Sequence, residues 1–322
     1  MKYPISAAAL LAALTLMPPA QAQTAFVSSE KDDTLTVLDL KTQAVTGTVP
    51  TCKRPRHVQR SADGKQLLVA CGDSGAADVI DLATRQSVGR LPIGEDPEAF
   101  DLSADGKTLY ISEEDDAALG FFDLASRKFT RHVEVGKEPE GVKVAPDGKT
   151  VWVTSEVANM VHVIDTASGK VVKNVKVGKR PRRFALTPDG SQLWVTNEMS
   201  ASATILSTRD WSVLATLKFE VKGARATEIT PVGITMSRDG KRAFVALGRA
   251  NRVAFVDVAT RQVTDQVLVG KRAWNVTLTP DERQLLVVNG LSDDVTLVDV
   301  AGAKPLKSIP VGRVPYGAVI VE

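Results

Sequence analysis

Short apolar runs alternate with polar turns along almost the whole chain. Phe184-Ala-Leu186, Leu193-Trp-Val195, Val161-His-Val-Ile164 and Val171–Val177 are rich in Val, Ile, Leu and aromatic residues. Each is too short for a helix and is bounded by turn residues, the pattern of strands. The turns recur at fixed spacing. Asp-Gly-Lys begins at Asp63, Asp105, Asp147 and Asp239, with Asp189-Gly-Ser and Asp281-Glu as variants, and neighbouring copies are 42 residues apart except for 50 between Asp189 and Asp239. Asp-Gly supplies the positive φ that a tight hairpin needs. A second mark, an apolar pair closed by a polar residue, falls at Asp39, Asp81, Asp123, Asp165, Ser207, Asp257 and Asp299. Seven copies of a unit with four short strands predict an all-β chain, a seven-bladed β-propeller of four-stranded antiparallel blades.

The two ends of the repeat array are complementary. The first copy has no Asp-Gly hairpin and starts at Ala25-Phe-Val27 with what is the second strand elsewhere. The chain ends with Val311-Gly-Arg-Val-Pro315-Tyr-Gly-Ala-Val-Ile-Val321, a turn and an innermost strand. The N- and C-terminal strands are therefore expected to share one blade, which removes exposed sheet edges. Residues 1–22 fall outside the repeats. Lys2, an apolar run from Ile5 to Met17 and Ala20-Gln-Ala22 read as an export signal with its cleavage site. The expected organisation is a signal peptide, 1–22, and a single propeller domain, 23–322, with no membrane span.

Composition narrows the function classes. Forty basic residues stand against 38 acidic ones, a net charge of +2, so nothing favours nucleic acid through charge alone. No nucleophile elbow, paired-histidine metal motif, phosphate-cradling loop or haem-attachment motif is present, and neither a catalytic residue nor a metal site is assigned. The two cysteines, Cys52 and Cys71, lie in the turn before the first strand and at the end of the second strand of one blade. Adjacent antiparallel strands bring them together, and in an exported protein they are expected to form a disulfide.

The turn Val-Gly-Lys-x-Pro, Pro-Asp-Gly-Lys, Trp-Val-Thr-Asn197 and Val-Ile-Asp-Thr166 resemble the YVTN-type seven-bladed propeller repeat family over residues 23–322. Thr51-Cys-Lys-Arg-Pro-Arg56 with Val69-Ala-Cys-Gly-Asp-Ser74 resembles, more narrowly, the exported propellers associated with pyrroloquinoline quinone (PQQ)-dependent alcohol catabolism. That resemblance implies a periplasmic partner of quinoprotein oxidation with no settled activity, and the missing catalytic motifs make a non-catalytic binding or accessory protein the expected reading. Its partner would be a protein such as a quinoprotein dehydrogenase or its cytochrome, with PQQ as a candidate ligand. Some seven-bladed relatives act on sugar lactones, so a lactonase-like hydrolase is the alternative, and a periplasmic nucleic-acid binder is a third.

Function is expected where the repeats differ. The position after the turn proline reads Arg56, Glu98, Glu140, Arg182, Val232, Trp274, Tyr316, and the next reads His57, Ala99, Gly141, Arg183, Gly233, Asn275, Gly317. Second-strand ends add Glu30, Glu113, Glu114, Glu156 and Glu198. Candidate ligand- or partner-binding residues are Arg54, Arg56, His57, Glu98, Glu140, Arg182, Arg183, Trp274, Asn275 and Tyr316. Two readings fit them. One is a funnel in which arginine forks meet a carboxylate beneath a stacking aromatic; the other is a docking face. Were the Arg and Glu columns to pair with each other instead, the face would bind nothing. An eight-residue insertion, which falls within the loop Glu220–Thr230, lies on the same face. His132 and His162 read as packed or surface strand residues. Arg60 stands in a column otherwise held by Leu102, Val144, Leu186, Met236, Leu278 and Ile320, where a charge is expected to need a buried partner.

Overall fold

The computed structural model describes residues 23–322, and the expected signal peptide, 1–22, lies outside the described residues. Twenty-eight strands form seven separate four-stranded antiparallel sheets, and the described residues hold no helix longer than a single 3-10 turn. The chain is a seven-bladed propeller. Blade 1 is made of Thr24–Ser29, Thr34–Asp39 and Ala44–Pro50, with Pro315–Val321 from the C-terminus as its inner strand. Blades 2 to 5 begin with the inner strands Pro55–Arg60, Pro97–Leu102, Pro139–Val144 and Pro181–Leu186. Blade 6 begins with Ile234–Met236 and blade 7 with Ala273–Leu278.

Alternation decides which neighbour each side chain meets. Leu193 and Val195, in the second strand of blade 5, pack on Trp152, Val161 and Val163 of blade 4. Trp194 between them points the other way, onto Ala243, Val245 and Ala254 of blade 6. Every blade is thus buried on both faces, which explains why the second and third strands are apolar at consecutive positions.

Two regular features shape the variable face. In blades 2 to 5 and 7 the register between inner and second strands shifts just after the turn, a β-bulge. In blade 5, Arg182 and Arg183 together oppose Thr196, because Pro181 pairs with Asn197 and Phe184 with Val195. Bulges re-aim side chains, here toward the axis and the face. A hydroxyl from each preceding blade then fixes the bulged backbone: Ser28 Oγ donates to the Arg56 carbonyl (2.7 Å), Ser112 Oγ to that of Glu140 (3.0 Å) and Thr154 Oγ1 to that of Arg182 (3.0 Å). Space is tight there, since a Cβ on Gly141 would run into the Arg182 carbonyl.

Arg60 departs from expectation. It is exposed, and its guanidinium folds back on the Gly64 carbonyl (3.1 Å). No buried partner is needed, because the column runs out to the Asp-Gly face and the charge stays in water. The insertion does not stand free. Phe219 and Ile229, at its two ends, are buried in the core between blades 5 and 6, while most of the residues between them are exposed and Arg225 pairs with Glu228 there.

Candidate functional site

The candidate residues separate into three places. Arg54, Arg56, Glu98, Glu140, Arg182 and Trp274 line a depression of about 280 Å³ on the variable face. His57, Arg183 and Asn275 line a second cavity deeper in the channel, about 250 Å³. Tyr316 lies at the boundary: its hydroxyl donates to Glu140 Oε1 (3.1 Å) and accepts from Arg183, which is itself 2.8 Å from the same carboxylate oxygen.

Most guanidiniums of the face are already engaged. Arg56 binds Glu98 and stands 3.3 Å from Glu30. Arg182, only 3 % exposed, binds Glu156, lies 3.2 Å from Glu140 and reaches within 3.8 Å of Glu198. The rings cover the charges: Arg56 sits 4.5 Å from the Tyr316 centroid, and Trp274 takes Arg182 (5.4 Å) and Arg272 (4.6 Å) on its ring. Forks held this way cannot turn to a ligand carboxylate without abandoning buried glutamates.

Three residues of the face were absent from the sequence candidates. Arg180, Arg272 and Asp96 each precede the first residue of an inner strand, with φ of 54°, 59° and 39°. This left-handed conformation, unusual for non-glycine residues, lifts their side chains onto the face. The signal was available as the column Arg54, Asp96, Glu138 and Arg180 before the turn proline, continued by Arg272 before Ala273 in blade 7. Arg180 separates the face depression from a neighbouring one of about 260 Å³ that includes Glu156, Lys179 and Met199. Its Nε lies 2.6 Å from Glu156 and 3.3 Å from Glu198, and over a third of its side chain is open to solvent.

Two carboxylates on Arg182 are driven apart. Burial of Glu140 opposes its charge, but Arg182, Arg183, Arg56 and the Tyr316 hydroxyl outweigh that and hold it at about 2. For Glu156, burial is the largest influence. Repulsion from Glu140 and Glu198 adds to it, the attraction of Arg182 and Arg180 does not offset it, and the carboxyl is pushed up to about 7. One stays ionised at neutral pH while the other is poised to exchange a proton, the arrangement from which acid-base roles are built.

Outside this cluster, His162 and His132 are engaged within their blades. His162 Nε2 accepts from the Gly136 amide (3.1 Å) and Nδ1 bonds Asn174 (2.6 Å), a packed strand histidine. His132 pairs with Glu113 (2.8 Å) on an outer strand. Asp96, Glu98 and Glu114 are close enough to share a cation, but Arg54 binds Asp96 and lies 3.7 Å from Glu98, so a guanidinium already supplies the positive charge. Cys52 and Cys71 form a disulfide within the core between blades 1 and 2.

Fold and face together define a propeller with one uniform face and one that carries a buried cluster of glutamates and arginines at the channel mouth. The chain matches the family model for lactonases with a seven-bladed β-propeller over residues 125–230 and 169–306, and it belongs to that family. No curated protein matches it. Among solved structures it is similar to the periplasmic gluconolactonase of Pseudomonas aeruginosa, 19% identical over 94% of this chain and 99% of that one, with a TM-score of 0.79. A putative 6-phosphogluconolactonase from Bacteroides uniformis is 15% identical over 94% of this chain and 100% of that one, TM-score 0.76. Kuenenia stuttgartiensis hydrazine synthase is 24% identical over 86% and 92%, TM-score 0.78. At these identities the likeness concerns the fold.

Proposed function

We propose that the protein hydrolyses a lactone of a small hydroxylated acid on the variable face, with Glu156 as the general base. The observation that carries this is the pair Glu140 and Glu156 on Arg182, one held at about 2 and the other at about 7. Ionised Glu156 takes a proton from water. The water oxygen bonds to the lactone carbonyl carbon, the ring C–O bond breaks, and the proton passes to the departing ring oxygen, leaving a hydroxy acid. Arg180, the half-open guanidinium beside Glu156, offers N–H donors to the carbonyl oxygen as negative charge develops there. Membership of the lactonase family and the gluconolactonase-like neighbours support the reading. Because Glu156 acts when deprotonated, kcat/KM should rise with pH through about 7 and level off above it. The test is a proton-release assay with glucono-1,5-lactone, its 6-phosphate and simple γ- and δ-lactones. Saturable hydrolysis above the spontaneous rate is expected, lowered on the order of 100-fold or more in Glu156→Gln. No acceleration with any of these lactones, or an undiminished rate in folded Glu156→Gln, would overturn it.

A second reading is an accessory role beside a periplasmic quinoprotein dehydrogenase or its cytochrome, as the Cys52 and Cys71 motifs suggest. It is favoured by Val157, Met199 and Leu291. These occupy the same repeat position on the variable face and are 56%, 62% and 65% exposed, more apolar surface than isolated loop tips need. Met199→Asp with Leu291→Asp should then weaken binding to a purified dehydrogenase at least tenfold. The same affinity in both proteins would remove this reading.

A further inference from the structure

The deeper cavity is not part of the face. Tyr316, Arg183 and Glu140 close it from above with the hydrogen bonds already described, so a molecule on the face does not simply continue downward. Its chemistry also differs. Val58, Phe100, Val142, Phe184 and Ile234 give it apolar walls. Its charges are settled among themselves: Asp101 accepts from Gln59 Nε2 (2.8 Å), Lys143 Nζ (3.1 Å) and the Val144 amide (2.9 Å), and Arg183 is held by Glu140. Burial, then the nearby Arg183, pushes His57 down to about 4, so the ring is neutral at neutral pH. Two polar atoms are left over. His57 Nε2 and Gln59 Oε1 are buried and make no hydrogen bond of normal geometry, the neighbouring Gln59 amide being at most a weak partner for the imidazole. Native interiors rarely leave such groups unpaired without water or a ligand to meet them.

These features select a ligand class. An ion would surrender its hydration to a lining with no free opposite charge. A hydrocarbon would fit the walls but leave His57 and Gln59 unsatisfied. A neutral molecule with a short carbon skeleton and hydroxyl groups meets both demands. The volume, about 250 Å³, corresponds to roughly eight waters at about 30 Å³ each, which suits a molecule of a few heavy atoms.

A groove adjoins the cavity on the other side. About 400 Å³ in volume, it runs between the inner strands of blades 5 and 6, shares Phe184 and Ile234 with the cavity, and reaches Pro188 and Arg238 beside the Asp-Gly turns. It is open where the inner strand of blade 6 has only three residues, Ile234–Met236, just after the insertion. We propose that the central channel beneath the Tyr316 lid is a separate binding site for a small neutral hydroxylated molecule, loaded through this groove from the Asp-Gly face.

The proposal is tested with three probes of similar size, 1,2-propanediol, acetate and ethylammonium, by saturation-transfer NMR and calorimetry on the purified protein. The diol should bind saturably and the two ions should not. Gln59→Leu should weaken the diol at least tenfold, and Ile234→Trp, which fills the groove, should abolish binding or slow it at least tenfold. Absence of saturable diol binding, an ion binding as tightly as the diol, or native-like diol binding by both variants would overturn the proposal. Should either variant fail to fold, a crystal of the native protein soaked in the diol decides: density bridging His57 and Gln59 supports the site, and ordered water alone refutes it.

Discussion

Arg182 is 3 % exposed and touches carboxylates from blades 4 and 5, so its removal would leave buried Glu140 to Arg183 and Tyr316 alone and Glu156 to the half-open Arg180 alone. Breaking a buried pair from one side costs about 3–5 kcal/mol, whereas a solvent-exposed pair contributes less than about 1 kcal/mol. Arg182→Met should therefore lower the urea-unfolding free energy by that larger amount, and Arg225→Ala, at the exposed pair of the insertion, should leave it almost unchanged. Equal effects in the two variants would mean that the face network does not hold the ring together. The columns after the turn proline revealed most of this face, because a repeat with a fixed period exposes every departure from its consensus. They did not reveal who pairs with whom. That depends on the bulge at each inner strand and on the left-handed residue before it, neither of which has a composition of its own. Arg180 and Arg272 escaped notice for this reason.

At the level of strands, alternation and Asp-Gly turns carried almost all the information, and the strand order follows from them. Even Asp281-Glu282 keeps the turn, with Glu282 at φ 57° in the place of glycine. The Arg60 column was misjudged because alternation reports which way a side chain points and not how far along the channel water reaches. The disulfide joins the turn entering blade 2 to the second strand of that blade, across 19 residues of chain. Closing a loop of this length restricts the unfolded chain by about 3 kcal/mol. Replacing both Cys52 and Cys71 by alanine should thus lower unfolding stability by about that amount while leaving the strand spectrum intact. Two free thiols in the unreduced, unfolded native protein would contradict the bond itself.

The whole ring depends on a contact between the chain's ends. Pro315–Val321 pairs with Thr24–Ser29 and stands against the inner strands on either side. Deleting 314–322 should abolish cooperative unfolding rather than fray one edge, since it exposes blades 1, 2 and 7 together. A truncated protein that melts like the full chain would refute closure by a shared blade. The ring itself was legible because no single blade can bury its two apolar faces. The acid-base pair was not, since it arises only when blades 4 and 5 bring Glu140, Glu156, Glu198 and Arg182 to one point.

That convergence is the central claim, and a ¹³C NMR titration of the glutamate carboxyls tests it directly, with Glu156→Gln to assign the signal. The account predicts one carboxyl with a midpoint near 7 that disappears in the variant, and a second, Glu140, that stays ionised down to about 2. If every glutamate titrates below about 5, in the ordinary range for the residue, Glu156 is not poised for proton transfer and the proposed chemistry is wrong.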